Sequence, residues 1–326
     1  MNTIQLKLTV IIVILLLKAL TSNTFAQDNV LLGIYIKDMA FSDERSVFEC
    51  DLYWWVKYKV PNDTALRKEI QKIEFTNAET IEKEIYETKV IDSIEYVTGH
   101  FRGKFRYNPD YISYPLDKQS LPLNIESVTL TNNRVTLLPD TVAYMNNDNH
   151  IVGFDPNILL PGFSIKEAHF SNSVKDYQTN FGDPAMKNSL TYSRLTYTIL
   201  IERRYTPFIL KILIPNVLLL IIAYMVFFIP AKQLEVAVGC TVTSLLAGIA
   251  LQLAINFSLP DVGYLTKADK LFYLFYSLIT FALVQTVLSF RLEQSGRANI
   301  ANVTEKIGRI FYPIIAVGGI LTICLS

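Results

Sequence analysis

The chain has 326 residues, 51% of them hydrophobic and 18% charged, and its 30 Lys and Arg balance its 30 Asp and Glu. A soluble globular chain is about 45–50% apolar and about 25% charged, so the apolar excess must be localised. The balance excludes a charge-rich disordered polymer and a strongly basic nucleic-acid binder, and three cysteines are too few for a disulfide framework.

Residues 1–26 carry an early Lys7, the apolar run Leu8–Leu17 and the small-residue ending Thr24-Phe25-Ala26. This is the layout of a signal peptide cut after Ala26. Lys18 stops the apolar run well short of the ~20 residues that span a bilayer; a first membrane anchor is the competing reading. From residue 27 to about Tyr205 no long apolar run occurs. Apolar and polar residues alternate instead in Val30–Ile36, in Val47–Val60, at Leu121, Leu123 and Ile125, and at Leu195, Tyr197, Ile199 and Ile201. Period-two alternation between Pro and Gly breakers predicts short half-buried strands and hence a β-sandwich. Asn62–Lys83 is the one stretch here that reads as a candidate helix, with a strand as the alternative.

Four apolar runs follow, at about 208–229, 235–257, 268–290 and 308–325, each near the length of a membrane-spanning helix. The last is the shortest. The chain divides on this reading into a signal peptide (1–26), an exported all-β domain (27–206) and an all-α four-helix transmembrane domain (207–326). The short link Pro230–Gln233 and the longer Arg291–Arg309 are richer in Lys and Arg than the link Ser258–Lys270. The positive-inside rule then puts the β domain and the C-terminus outside the inner (plasma) membrane.

The second span carries an ordered stripe. Steps of four and three from Glu235 reach Gly239, Thr243, Leu246, Ala250, Leu253 and Phe257, one face of a helix. The stripe begins with a carboxylate, continues through small and hydroxyl residues and turns apolar. A charge at a membrane helix end is costly unless it meets water or a partner. Capping of the helix N-terminus explains Glu235 equally well in isolation. If several copies surround an axis, the stripe becomes a carboxylate ring that attracts cations, below apolar rings that gate by dewetting.

These features resemble the pentameric ligand-gated ion channels, the Cys-loop receptor superfamily, in its short bacterial form. Tyr114-Pro115-Leu116-Asp117-Lys118-Gln119 is similar to the tip of the family's signature loop. Arg203 resembles the basic residue ending the last strand, Pro215 the proline within the first span, and Leu259-Pro260 with Tyr264 and Thr266 the link after the pore helix. The register set by Pro260 places Leu246 at the central pore leucine and Glu235 at the inner selectivity ring, the residues the stripe had selected. The resemblance implies a homopentamer in a lipid bilayer, opened by a small-molecule or ion ligand bound between adjacent β domains and passing cations. It implies that Arg45, Asp117, Arg203, Pro260 and Tyr264 couple the two domains, with Asp117 and Arg203 as an ion pair. It puts Tyr177, Phe181 and Tyr192 of the last hairpin, Phe154 before it, and Tyr53 of the neighbouring subunit at the ligand site; Trp55 resembles a core position. The cysteines that name the superfamily fall at Tyr107 and Leu121, and the pore-helix histidine of the proton-gated bacterial relative is replaced by Gly248.

No phosphate loop, zinc motif or nucleophile elbow occurs, and His100, His150 and His169 lack ligand spacing. Neither an enzyme nor a cofactor, metal or nucleic-acid partner is expected. The rival from another class is a non-conducting membrane ligand sensor of the same fold.

Overall fold

The computed structural model describes residues 28–42, 46–145, 152–182, 184, 190–256 and 262–325. The predicted signal peptide lies outside them. The first part is built of β1 (Asp28–Ser42), β2 (Val47–Lys59), helix α1 (Thr64–Ile70), β3 (Ile73–Phe75), β4 (Ala78–Ile91), β5 (Ile94–Arg106), β6 (Lys118–Ser127), β7 (Val135–Pro139), β8 (Phe163–Asp176) and β9 (Thr191–Arg203). A five-stranded sheet of order β4-β5-β2-β1-β7 faces a four-stranded sheet of order β3-β6-β9-β8. The alternating runs point one set of side chains inward: Leu32, Ile34, Leu52, Trp54, Leu121, Leu123, Leu195 and Tyr197 are all fully buried. This is the expected β-sandwich, closed around one aromatic-rich core.

Two local readings change. The candidate helix 62–83 is helical only over α1, where the Asp63 carboxylate accepts from the Ala65 N–H at 2.8 Å. Ile73 and Phe75 then alternate inward as β3. Asn77 turns the chain into β4: its amide donates to the Arg106 and Pro122 carbonyls and its oxygen accepts from the Asn124 N–H. Of the two tryptophans, Trp54 takes the core place. Strand alternation sends half-buried Trp55 the other way, where its indole N–H donates to Asp140 at 2.7 Å.

β9 runs directly into four apolar helices: α2 (Thr206–Phe228), α3 (Leu234–Asn256), α4 (Lys267–Gln294) and α5 (Ala298–Leu325). Each is long and apolar enough to cross a membrane. α5 begins at Ala298 rather than near 308, because its polar first turns continue the same helix. α2 includes a π-helical segment, Ile209–Leu213, just before Ile214 and Pro215. Tyr312, stacked on Tyr224, and Phe272, Phe275 and Leu278 fill the bundle interior.

One buried polar site pins α1 to the sandwich. Glu95, 1% exposed, accepts from Arg67 Nε at 2.6 Å, Arg67 Nη2 at 2.9 Å and the Tyr58 hydroxyl at 2.7 Å. The guanidinium, outweighing burial, holds the Glu95 carboxyl below its ordinary value. A carboxylate with a depressed folded pKa contributes stability above its unfolded pKa and loses it as pH falls through the folded one. Glu95→Gln is therefore expected to lower the unfolding temperature at pH 7, with the gap to wild type closing as pH drops below about 4. Thermal unfolding at stepped pH checks this; a gap that stays constant with pH contradicts it.

Candidate functional site

Three places carry the residues singled out in the sequence. The first is α3. Ala237, Thr241 and Ser244 are buried, as is Gly248, and they share the face that packs on the other helices. Tyr276 of α4 donates to the Gly248 carbonyl at 3.1 Å, and its ring stands 3.2 Å from where a Cβ at 248 would lie. At about 100° per residue, Glu235, Gly239, Thr243, Leu246, Ala250 and Leu253 point the opposite way, and all six are exposed in the single chain. Leu246 and Leu253 are 63% and 51% exposed. The hydroxyls divide in the same manner. Thr241, on the packed face, donates to the Ala237 and Val238 carbonyls, whereas exposed Thr243 makes no such bond among the described residues. Phe257 lies outside those residues.

The second place is the junction between the sandwich and the helices. Asp117, 1% exposed, sits at the end of the loop between β5 and β6. Arg203, the last residue of β9, donates Nε to its Oδ1 at 2.6 Å and Nη2 to its Oδ2 at 3.1 Å. The Arg203 side chain is 13% exposed and its guanidinium lies over the rings of Phe163 at 4.5 Å and Tyr114 at 4.9 Å. Bidentate geometry with aromatic cover is the arrangement that makes such pairs strong. Gln119 completes the knot, donating to Asp117 Oδ2 at 2.7 Å and to the Asp110 carbonyl at 2.7 Å and accepting from the Asp110 N–H at 3.1 Å.

The same loop seats the link to α4. The Tyr111 N–H donates to the Tyr264 hydroxyl at 2.9 Å. The first N–H groups of α4, at Lys267 and Ala268, donate to the carbonyls of Ile112 and Tyr114, each at 3.1 Å. Thr266 and Asp269 cap the next turn reciprocally, the pattern of a capping box. Sequence reading finds Asp117, Arg203 and Tyr264. Gln119 is part of the quoted loop motif but was given no role, and the two carbonyls are missed, since a backbone acceptor leaves no residue-type signal; the capping box was readable as Thr266-Lys267-Ala268-Asp269. Arg45 and Pro260 lie outside the described residues.

The third place is the β8–β9 hairpin. Tyr177, Phe181 and Tyr192 come together, with ring centroids 5.3 Å apart for Tyr177 and Phe181 and 5.8 Å for Tyr177 and Tyr192. Behind them Glu126, 2% exposed, binds the Arg194 guanidinium and accepts from the Tyr177 hydroxyl at 2.8 Å. Desolvation, and then the Glu126 charge, raise Glu74 above its ordinary value. Phe154 does not reach this cluster within one chain; it lies against Tyr197, five residues along β9 from Tyr192, or ~17 Å at strand rise. Tyr53 stands exposed on the far sheet against the His100 ring. Tyr107 and Leu121 are buried core side chains, and the cysteines at 50, 240 and 324 are free.

With this geometry in hand, known proteins can be compared. No protein-family model matches the chain. It is 26% identical over 207 residues to a proton-gated ion channel of Gloeobacter violaceus, covering 63% of this chain and 52% of that protein. It is 31% identical over 136 residues to the human neuronal acetylcholine receptor subunit alpha-10, covering 38% and 30% of the two chains. It is 29% identical over 133 residues to a glutamate-gated chloride channel of Drosophila melanogaster, covering 39% and 27%. The matches span about half the length of the first relative and under a third of the others. These relatives are pentameric ligand-gated channels, a non-enzymatic group, and the chain is consistent with the Cys-loop receptor superfamily. The group includes anion as well as cation channels.

The junction makes an energetic prediction. Removing one partner of a buried ion pair strands the other, at a cost of about 3–5 kcal/mol. Asp117→Ala and Arg203→Ala should each lower stability by amounts in that range. The double variant should cost clearly less than their sum. Unfolding of the four proteins in the cycle measures the coupling; strict additivity contradicts the pair.

Proposed function

We propose that the chain is the subunit of a homopentameric ligand-gated ion channel that conducts cations through a pore lined by α3. The observation that carries this reading is the division of α3 into a packed face and an exposed face that begins at Glu235 and passes Thr243 to Leu246 and Leu253. A helix facing lipid has no use for an exposed carboxylate and an exposed hydroxyl on one stripe. Cyclic closure of several copies brings that stripe to a shared water-filled axis. Glu235 then forms the charge filter at the inner mouth, and Leu246 with Leu253 forms the apolar constriction. Cation selectivity rests on Glu235 alone, since chloride channels are also among the relatives.

Opening follows from a ligand that binds one arrangement of adjacent sandwiches better than the other. Tyr177, Phe181 and Tyr192 form one wall of that site, and their faces suit a cationic ligand; Tyr53 belongs to the surface that a neighbour brings near, while Phe154, stacked on Tyr197 of the same chain, stands apart from the wall. The Asp117–Arg203 pair and Tyr264 transmit the change to α3 and α4. Proton sensing through a histidine at 248 has no support: glycine stands there and the Tyr276 ring fills the space. The β domain faces outside the inner membrane, consistent with the Lys and Arg bias of the links.

Reconstitution in planar bilayers, with ligands screened across pH and divalent ions, tests the reading, and absence of any unitary current under all conditions favours the sensor. Glu235→Gln is expected to shift the reversal potential in a KCl gradient toward zero as cation preference is lost; an unchanged reversal potential removes Glu235 from the filter. Arg203→Ala is expected to uncouple, leaving ligand binding in place while ligand-evoked current falls at least tenfold. Unchanged gating in that variant removes Arg203 from the coupling path.

A further inference from the structure

At the end of the helical bundle away from the β domain, a cavity of about 10 Å³ lies where α2, α4 and α5 meet. Val226 and Phe227 of α2 line it together with the polar residues Gln285, Ser289 and Glu305. Ser289 is 2% exposed, and its Oγ has no hydrogen-bond partner among the described residues. Hydroxyls elsewhere on these helices are provided for. Thr241, Ser277, Thr286 and Thr304 each donate to the carbonyl four residues earlier, the local bond a helical hydroxyl makes when nothing better faces it. Ser289 forgoes that bond with Gln285 and turns to the cavity it lines. A buried hydroxyl left unbonded is costly, so its partner belongs in that space.

The neighbouring side chains cannot reach over to serve it. Gln285 is fixed: its Nε2 donates to the Thr304 carbonyl at 2.6 Å, and its amide fills the notch at Gly308, where a Cβ would meet Nε2 at 2.1 Å. Arg309 is committed to α2, its Nε donating to the Phe227 carbonyl at 3.0 Å and its guanidinium lying 4.7 Å from the Phe228 ring. Glu305 has capacity to spare. Its Oε2 stands 3.5 Å from Arg309 Nη2, and a carboxylate has about four acceptor positions. Its side chain is 17% exposed, which opens a way in from the surface. A volume of about 10–15 Å³ with two or more polar partners is what one water molecule needs; an organic ligand or a hydrated ion has no room. We propose that this cavity is the binding site of a single resident water, which accepts from the Ser289 hydroxyl and donates to the Glu305 carboxylate. The water joins α4 to α5 beside the contact by which Arg309 joins α5 to α2, so the three helices are linked at this end through polar groups.

The test does not depend on whether the protein conducts. The full chain is placed in nanodiscs and imaged by single-particle cryo-EM to a resolution at which ordered waters appear. One peak is expected about 2.6–3.2 Å from both Ser289 Oγ and a Glu305 carboxylate oxygen. A thermal-unfolding cycle of the wild type, S289A, E305A and the double variant in one detergent gives a second readout. Residues that share no partner give additive shifts; linked through the water, the double variant is expected to lose clearly less than the two single losses together. E305Q, which keeps an acceptor oxygen, is expected to lose less than E305A. If E305A does not fold, S289A is imaged instead, and its map is expected to lack the peak with the helices unmoved. The proposal is overturned if the wild-type map has no peak there, if Ser289 Oγ is turned onto the Gln285 carbonyl, if the contacts are the shorter ones of a bound metal ion, or if the unfolding shifts are additive.

Discussion

A helix that starts at a membrane surface has four backbone N–H groups with no partner in its own first turn, and the way α4 satisfies them shapes the junction. Thr266 and Asp269 provide for their own turn, while the N–H groups of Lys267 and Ala268 are bound by the carbonyls of Ile112 and Tyr114, which belong to the β domain. The loop is thus part of the helix cap. Moving the loop relative to α4 leaves two buried-side donors without acceptors unless the helix start moves with it. Each such orphan costs about 1–3 kcal/mol, enough to make the loop and the first turn of α4 travel as one body. Tyr264, bound to the Tyr111 N–H, extends that body back toward the end of α3.

The other half of the junction holds the loop to β9. Arg203 is rigid by construction: two bonds to Asp117, rings of Phe163 and Tyr114 on its faces, and its own backbone N–H donating to the Asp117 carbonyl at 3.1 Å. β9 is also one arm of the hairpin that carries Tyr177 and Tyr192. A change at the hairpin therefore has a continuous hydrogen-bonded strand leading to Arg203, then Asp117, then the loop, then the start of α4. Continuity alone does not establish coupling. It does mean that no flexible linker lies between the aromatic cluster and the membrane helices on this side.

The buried strands and the apolar spans were legible because burial imposes a period. Leu121, Leu123 and Ile125 alternate inward in a central strand, and the α3 stripe keeps helical spacing. What was not legible had lost its period. β4 and β8 each lie at one edge of their sheet; the second half of β8, from Ser171 to Asp176, is exposed and polar but for Val174, so neither face of it needs apolar residues. The tail of the Asn62–Lys83 stretch misled for the same reason, since charged β4 residues fit a solvated helix as well as a solvated edge. The adjacent Trp54 and Trp55 show the limit of residue type as a guide: only the sheet's register tells which of two neighbours is inside. At the site, side-chain partners such as Asp117 and Arg203 could be read, but the carbonyls that cap α4 could not.

The loop between β5 and β6 holds its shape without a crosslink by the same local accounting. A crosslink between positions 107 and 121 would close a loop of about 15 residues and contribute about 3 kcal/mol. Here Tyr107 and Leu121 pack in the core, and Gln119 does the closing. It binds both the N–H and the carbonyl of Asp110 across the loop and also holds the Asp117 carboxylate. Two neutral hydrogen bonds at about 1 kcal/mol each and one to a charged group at about 1.5–3 kcal/mol sum to the same order as the crosslink. The loop therefore keeps a defined shape without cysteine chemistry. Its closure is also reversible on the timescale of hydrogen-bond exchange, which a covalent bridge is not. A loop that must both cap α4 and follow β9 can tolerate that, because Arg203 on one side and the helix N–H groups on the other fix its ends independently of Gln119.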